Sequence, residues 1–183
     1  MFRNARNARM MNQALNAEQL ASLRQANQLI TNGHPGEAAP LLAQLAGQMQ
    51  ASKHPRRAAN LYARTAHAYA DAKDGPAAVA HARTALDLFL QFQMIYRAPQ
   101  FYTNITRKLA NNGMKPAAAH LEQEYAARIE RLPAAPAAGQ AHRGQLPTNC
   151  PKCGAPVHGD DVNWVDATTA ECDYCGSLIR ASD

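Results

Sequence analysis

The sequence predicts a mainly α protein, a domain of helical hairpins followed by a small β module. Three observations carry this. Between residues 16 and 132 the chain is alanine-rich, and Pro35, Pro55, Pro76, Pro99 and Pro116 mark helix starts, where a missing N–H costs nothing. Glycine precedes alternate starts, in Asn32-Gly33, Asp74-Gly75 and Asn112-Gly113, which suits a left-handed helix end. Past residue 146 the composition changes: all four cysteines lie in Cys150-Pro151-Lys152-Cys153-Gly154 and Cys172-Asp173-Tyr174-Cys175-Gly176.

Residues 1–15 form a basic arm in which Arg3, Arg6 and Arg9 recur every third position. A frayed tail is the plain reading, and an arm that orders on an acidic partner, nucleic acid or anionic lipid is the sharper one. No apolar stretch follows these arginines, so a signal peptide is not expected and the chain is assigned to the cytoplasm. The most apolar run, Leu88 to Tyr96, is too short for a membrane span.

The helical domain spans residues 16–132. Asn16 with Gln19 reads as a capping box, and Leu20, Leu23, Leu29 and Ile30 continue at helical spacing. Helices are expected near 17–31, 36–52, 56–73, 76–96, 99–111 and 116–132, as three hairpins. Pro40 fits less well and would move the second start a few residues later. Eight of the eleven residues from Leu86 to Tyr96 are apolar, more than one face needs. Such a helix must be covered on all sides, by the third hairpin, by self-association or by a partner protein.

The middle hairpin carries a family resemblance. Tyr62, Ala66 and Tyr69, followed by Ala78 and Ala85, fall at the aromatic and small positions of a tetratricopeptide (TPR) repeat, which this stretch resembles. Ala26, Gly33 and Ala38 match in the first hairpin, and Tyr102, Gly113 and Ala118 in the third. The resemblance implies that the first helix of each pair lines a concave groove, presenting Arg24, Asn27, Asn60, Arg64, His67, Asn104 and Arg107. A basic, amide-rich row of this kind suits an acidic peptide or a free carboxylate. The bland alternative is an ordinary solvated face.

Residues 133–146 are a Pro/Ala linker, extended and semi-rigid, and residues 147–183 form the last module. Its two Cys-x-x-Cys pairs have eighteen residues between them. In a chain without a secretory signal, thiols at this spacing read as ligands to one structural Zn²⁺: Cys150, Cys153, Cys172 and Cys175. A four-cysteine site has no open position, so the metal supplies folding energy. Iron held by the same knuckles is the competing metal, and His158 is read as a loop residue. The stretch resembles the zinc ribbon family, which implies strands at Val162–Val165, Thr168–Cys172 and Ser177–Arg180, a turn near Asp166-Ala167, and Trp164 packed over the site.

Charge divides the chain. Residues 1–143 hold seventeen Lys and Arg against eight Asp and Glu, and residues 144–183 hold two against six. The acidic module is a poor ligand for phosphate and is expected to dock on basic protein surface, its own helical groove included. No nucleophile–base pair, phosphate-cradling glycine loop or open metal position is evident, so an enzyme is not expected. The favoured function is a protein–protein interaction adaptor or scaffold. The alternative is a nucleic-acid-associated factor that uses the basic half and the arginine arm.

Overall fold

The computed structural model describes residues 15–95, 97–132, 145–157, 162–164, 168–175 and 177–182. The arginine arm, the body of the linker, Tyr96, His158 and the turn at Asp166-Ala167 lie outside the described residues. Six helices follow one another: α1 Ala17–Thr31, α2 Pro35–Ala51, α3 Pro55–Asp71, α4 Gly75–Gln91, α5 Arg97–Asn111 and α6 Lys115–Glu130. Three short strands come last, β1 Asn163–Trp164, β2 Thr169–Glu171 and β3 Leu178–Arg180.

The expected capping box forms: Asn16 Oδ1 accepts from the Gln19 N–H at 2.8 Å and Gln19 Oε1 from the Asn16 N–H at 3.2 Å. The joints between helices share one construction. At each, the residue after the cap donates to a carbonyl three residues back and the next residue to one five back, as Gly33 to Ile30 and His34 to Leu29. This closure needs a left-handed residue, and Gly33, Lys53, Lys73, Gln93 and Gly113 all have positive φ. They stand twenty residues apart throughout. The period is therefore twenty residues per helix and forty per pair.

Four expectations change. The left-handed residue of the central joint is Lys73 (φ 61), and Gly75 is instead the first residue of α4. A Cβ on Gly75 would lie 3.2 Å from Met114 Sδ, so that glycine serves close packing. The fourth helix stops at Gln91, not near 96, because Gln93 (φ 54) closes the same joint there without a glycine to announce it. Pro40 lies inside α2, which starts at Pro35 and does without the hydrogen bond that an amide at position 40 would make to the Gly36 carbonyl. The fifth helix begins at Arg97, two residues ahead of Pro99.

Each helix packs along the next, which joints of three residues, or five between α4 and α5, permit only with antiparallel axes. Beyond these neighbours, α3 touches α5 and α4 touches α6, so the helices form two layers. Alanine makes the close approach possible: Ala26, Ala38, Ala58, Ala66, Ala78 and Ala85 are fully buried. Leu42, Leu61, Leu86, Phe89, Ile105 and Tyr125 fill the space between. Tyr62 and Tyr69 sandwich His81 of α4, with ring centroids 5.8 and 5.4 Å away.

The apolar stretch after Leu86 is covered within the chain. Leu86, Leu88 and Phe89 are buried, Leu90, Phe92 and Met94 pack against the same core, and Phe89 meets Phe101 of α5 edge to face. Leu178 is the one large hydrophobic residue exposed among those described. Among the described residues no helix is long and apolar enough to cross a membrane.

The strands make one antiparallel sheet in the order β1-β2-β3, with Trp164 opposite Ala170 and Ala170 opposite Ile179. They are shorter than the expected runs but lie at the expected places. A bridge between Gln145 and Ser182 ties the two ends of the module together.

Candidate metal centre and the groove it occupies

The cysteine module is built around two turns. In the first, the Gly154 N–H returns to the Cys150 carbonyl at 2.8 Å and the Cys150 N–H donates to the Ala155 carbonyl at 2.7 Å. Gly154 has φ +75, the conformation that a tight knuckle requires. In the second, the Cys172 N–H donates to the Ser177 carbonyl at 2.8 Å. These closures point four sulfurs at one centre.

All four cysteines are buried and their sulfurs lie within 4.8 Å of one another. Two of the separations, Cys150 to Cys175 and Cys153 to Cys172, are 3.8 Å. A tetrahedron with metal–sulfur bonds of about 2.3 Å puts its corners about 3.8 Å apart, so the donor set fits a four-coordinate thiolate site. Ser177, absent from the sequence-based site, lies 3.0 Å from Cys175 Sγ and 3.4 Å from Cys150 Sγ. Its hydroxyl is placed to give the hydrogen bond that would steady a ligating sulfur. Hydrogen bonding among the thiols holds Cys150 below the ordinary thiol range and pushes Cys153 above it. Four such groups cannot all ionise together without a cation to balance them.

The module sits on the first helices of the hairpins. On α1, Arg24 Nε donates to the Lys152 carbonyl at 2.6 Å, and Asn27 Nδ2 donates to the Cys153 carbonyl. Gly154 approaches Asn27 closely enough that a Cβ there would lie 3.6 Å from Asn27 Nδ2. On α3, Asn60 Nδ2 donates to the Asp173 carbonyl at 3.4 Å, and the Arg64 guanidinium lies over the Tyr174 ring, 5.2 Å from its centroid. Just before α1, the Leu15 N–H donates to the Cys175 carbonyl at 3.3 Å.

Two ion pairs complete the contact. Arg57 Nη2 meets Glu171 Oε1 at 2.8 Å, with side chains only 8% and 19% exposed. Arg97 Nη2 pairs with Asp173 Oδ2. Neither arginine is in the sequence-based groove set. The signal was available, because Arg57 lies three residues before Asn60 and seven before Arg64, on the same stripe of α3. Arg97 occupies the matching place in α5, forty residues on.

Of the seven expected groove residues, Arg24, Asn27, Asn60 and Arg64 therefore face the chain's own module. The other three make no hydrogen bond or ion pair with it among the described residues. His67 packs edge to face on Phe101, with centroids 5.4 Å apart. Burial, reinforced by nearby Lys108, lowers its pKa to about 4, so the ring is neutral near pH 7. Asn104 is exposed and accepts from Arg107 Nη2 at 3.1 Å. All three line a neighbouring cleft together with Asp71 and Lys108.

No protein-family model, curated protein or solved structure matches this chain.

Proposed function

We propose that this protein is a non-enzymatic interaction adaptor. A TPR-like groove binds a partner protein, and a zinc ribbon with one structural Zn²⁺ is built into that groove. The observation that carries this reading is the docked module. Carbonyls and carboxylates of one polypeptide segment are read by arginine and asparagine side chains spaced along α1, α3 and α5. That is the chemistry of peptide recognition. The forty-residue period is longer than the roughly 34 residues of the tetratricopeptide family, so the groove geometry is carried over and the family consensus is not.

Zinc is favoured over iron because a closed, buried thiolate site tied to a helical domain supplies stability and needs no redox chemistry. The ribbon's role is to complete the concave surface, and a cytoplasmic setting keeps its thiols reduced. Nucleic-acid association is disfavoured, since Arg57 and Arg97 are already neutralised by the module's own carboxylates.

Metal analysis of protein purified without added metal, followed by affinity capture with the full chain and with Cys150→Ser/Cys172→Ser, tests the proposal. One zinc per chain and the same protein partner recovered reproducibly by the intact chain are expected. Iron in the site, or nucleic acid as the sole co-purifying species with binding that falls steeply with salt, would overturn it.

A further inference from the structure

A cleft of about 460 Å³ remains between α3 and α5, walled at one end by Tyr174 and Pro156 of the module. Among the described residues, three buried polar atoms bordering it have no hydrogen-bond partner: Asn60 Oδ1, Arg64 Nη1 and His67 Nδ1. They belong to positions i, i+4 and i+7 of α3 and so share one face of that helix. A buried donor on a guanidinium and a buried amide acceptor are each costly to leave unmet. Phe89 and Phe101 supply an apolar lining, and Asn104 and Lys108 stand at the rim.

We propose that this cleft binds an acidic peptide segment, its carboxylate taken by Arg64 and a main-chain N–H accepted by Asn60 Oδ1. The proposal rests on the adaptor reading and names its ligand and its site. The adjoining part of the groove already displays the recognition. There Arg24, Asn27 and Asn60 hold main-chain carbonyls, and Arg57 and Arg97 hold carboxylates, all of the chain's own module.

The repeat extends that chemistry. Arg24, Arg64 and Asn104 stand at forty-residue intervals, as do Asn27, His67 and Arg107. The module uses Arg24 and Asn27, touches Arg64 through Tyr174, and makes no hydrogen bond to His67, Asn104 or Arg107 among the described residues. Arg64 links the two parts, because its guanidinium rests on Tyr174, which lies between the ligands Cys172 and Cys175. The wall of the cleft is thus part of the metal-holding loop.

The test uses the full, metal-loaded chain and fluorescence polarisation. The probes are a pool of labelled hexapeptides ending in two acidic residues, and a matched pool with Asn and Gln in those places and an amidated end. Saturable binding of the acidic pool is expected, at least fivefold tighter than the neutral pool. Arg64→Lys, which keeps the charge and loses the fork, should weaken it about tenfold. Asn104→Asp changes an exposed rim residue, leaves the core untouched, and should weaken it at least tenfold by charge repulsion.

Equal binding of the two pools, binding unmoved by Asn104→Asp, or no saturation by 1 mM peptide would overturn the proposal. So would displacement of the acidic pool by a single-stranded oligonucleotide at lower concentration than by unlabelled peptide. If the pools fail while the full chain still captures a defined protein partner, the cleft assignment falls and the adaptor reading stands. If capture fails as well, both fall.

Discussion

Replacing Arg57 by methionine should release the cysteine module from the helices, and the size of the effect follows from the geometry. The Arg57–Glu171 pair spans 2.8 Å with both side chains largely withdrawn from water. Removing one partner of a buried pair costs about 3–5 kcal/mol, chiefly because the other charge is stranded. Methionine keeps much of the arginine stem's packing, and Glu171 retains some contact with solvent, so about 2–3 kcal/mol is expected here. That corresponds to a roughly 30- to 150-fold loss in the docking equilibrium. The Leu15 amide reads it directly, since it precedes α1 and its bond is to the Cys175 carbonyl across the interface. Its hydrogen exchange should accelerate by that factor, while amides in the middle of α3 and α4 stay protected. Pairing Arg57→Met with Glu171→Leu removes both charges and should recover at least half of the loss. Leu15 exchange changed by less than about threefold, or a double variant costing the sum of the two singles, would refute this account of the interface.

Other consequences are open to simpler measurements. Lys53, Lys73 and Gln93 hold left-handed backbone that glycine adopts without strain, so each changed singly to glycine should raise the urea midpoint, by about 0.5–1 kcal/mol of stability. His67 is neutral when folded, with its pKa lowered to about 4 from 6.5, so the unfolded chain binds the extra proton between those values. Its stability contribution is complete above pH 6.5 and is lost as pH falls towards 4, where Asp71, Lys108 and Arg64 also face the ring. His67→Gln should flatten the denaturation midpoint across that window by comparison with the parent chain. Chelation, or Cys172→Ser, should expose the module and speed Leu15 exchange, yet leave most of the helical circular dichroism, because most members of the apolar cluster that the helices share with the module, Leu42, Leu61 and Leu86 among them, come from the helices. Collapse of the helical signal on metal loss would show the two parts to be one cooperative unit.

Some of this was legible in the residues and some was not. Prolines in the first turn, the Asn16 box and the paired cysteines each announce themselves through a local requirement, and all but Pro99, which α5 precedes by two residues, stand where the sequence places them. Lys53, Lys73 and Gln93 announce nothing, because any residue can be forced left-handed when the joint around it is otherwise satisfied. The residues alone therefore carry α4 five positions too far and point to Gly75 for a role that Lys73 performs. Docking was foreshadowed by opposite charge, but the particular pairs depend on which residues of α3 and α5 meet the second knuckle. Carrying the stripe of Asn60 and Arg64 back one turn would have found Arg57, and the forty-residue spacing would then have supplied Arg97. Ser177 had no pattern of its own, and its place beside the sulfurs emerges only once the second knuckle closes.

The joints also govern how such a chain can change in length. One residue inserted within α3 ahead of Asn60 would turn Arg57 by about 100° away from Glu171, so gains and losses inside a helix break the match with the module. A whole pair gained at a joint would keep every later residue in phase and lengthen the concave surface by one unit. The acceptable steps are then blocks of forty, and reach can be added beyond α6 without disturbing what α1, α3 and α5 already hold.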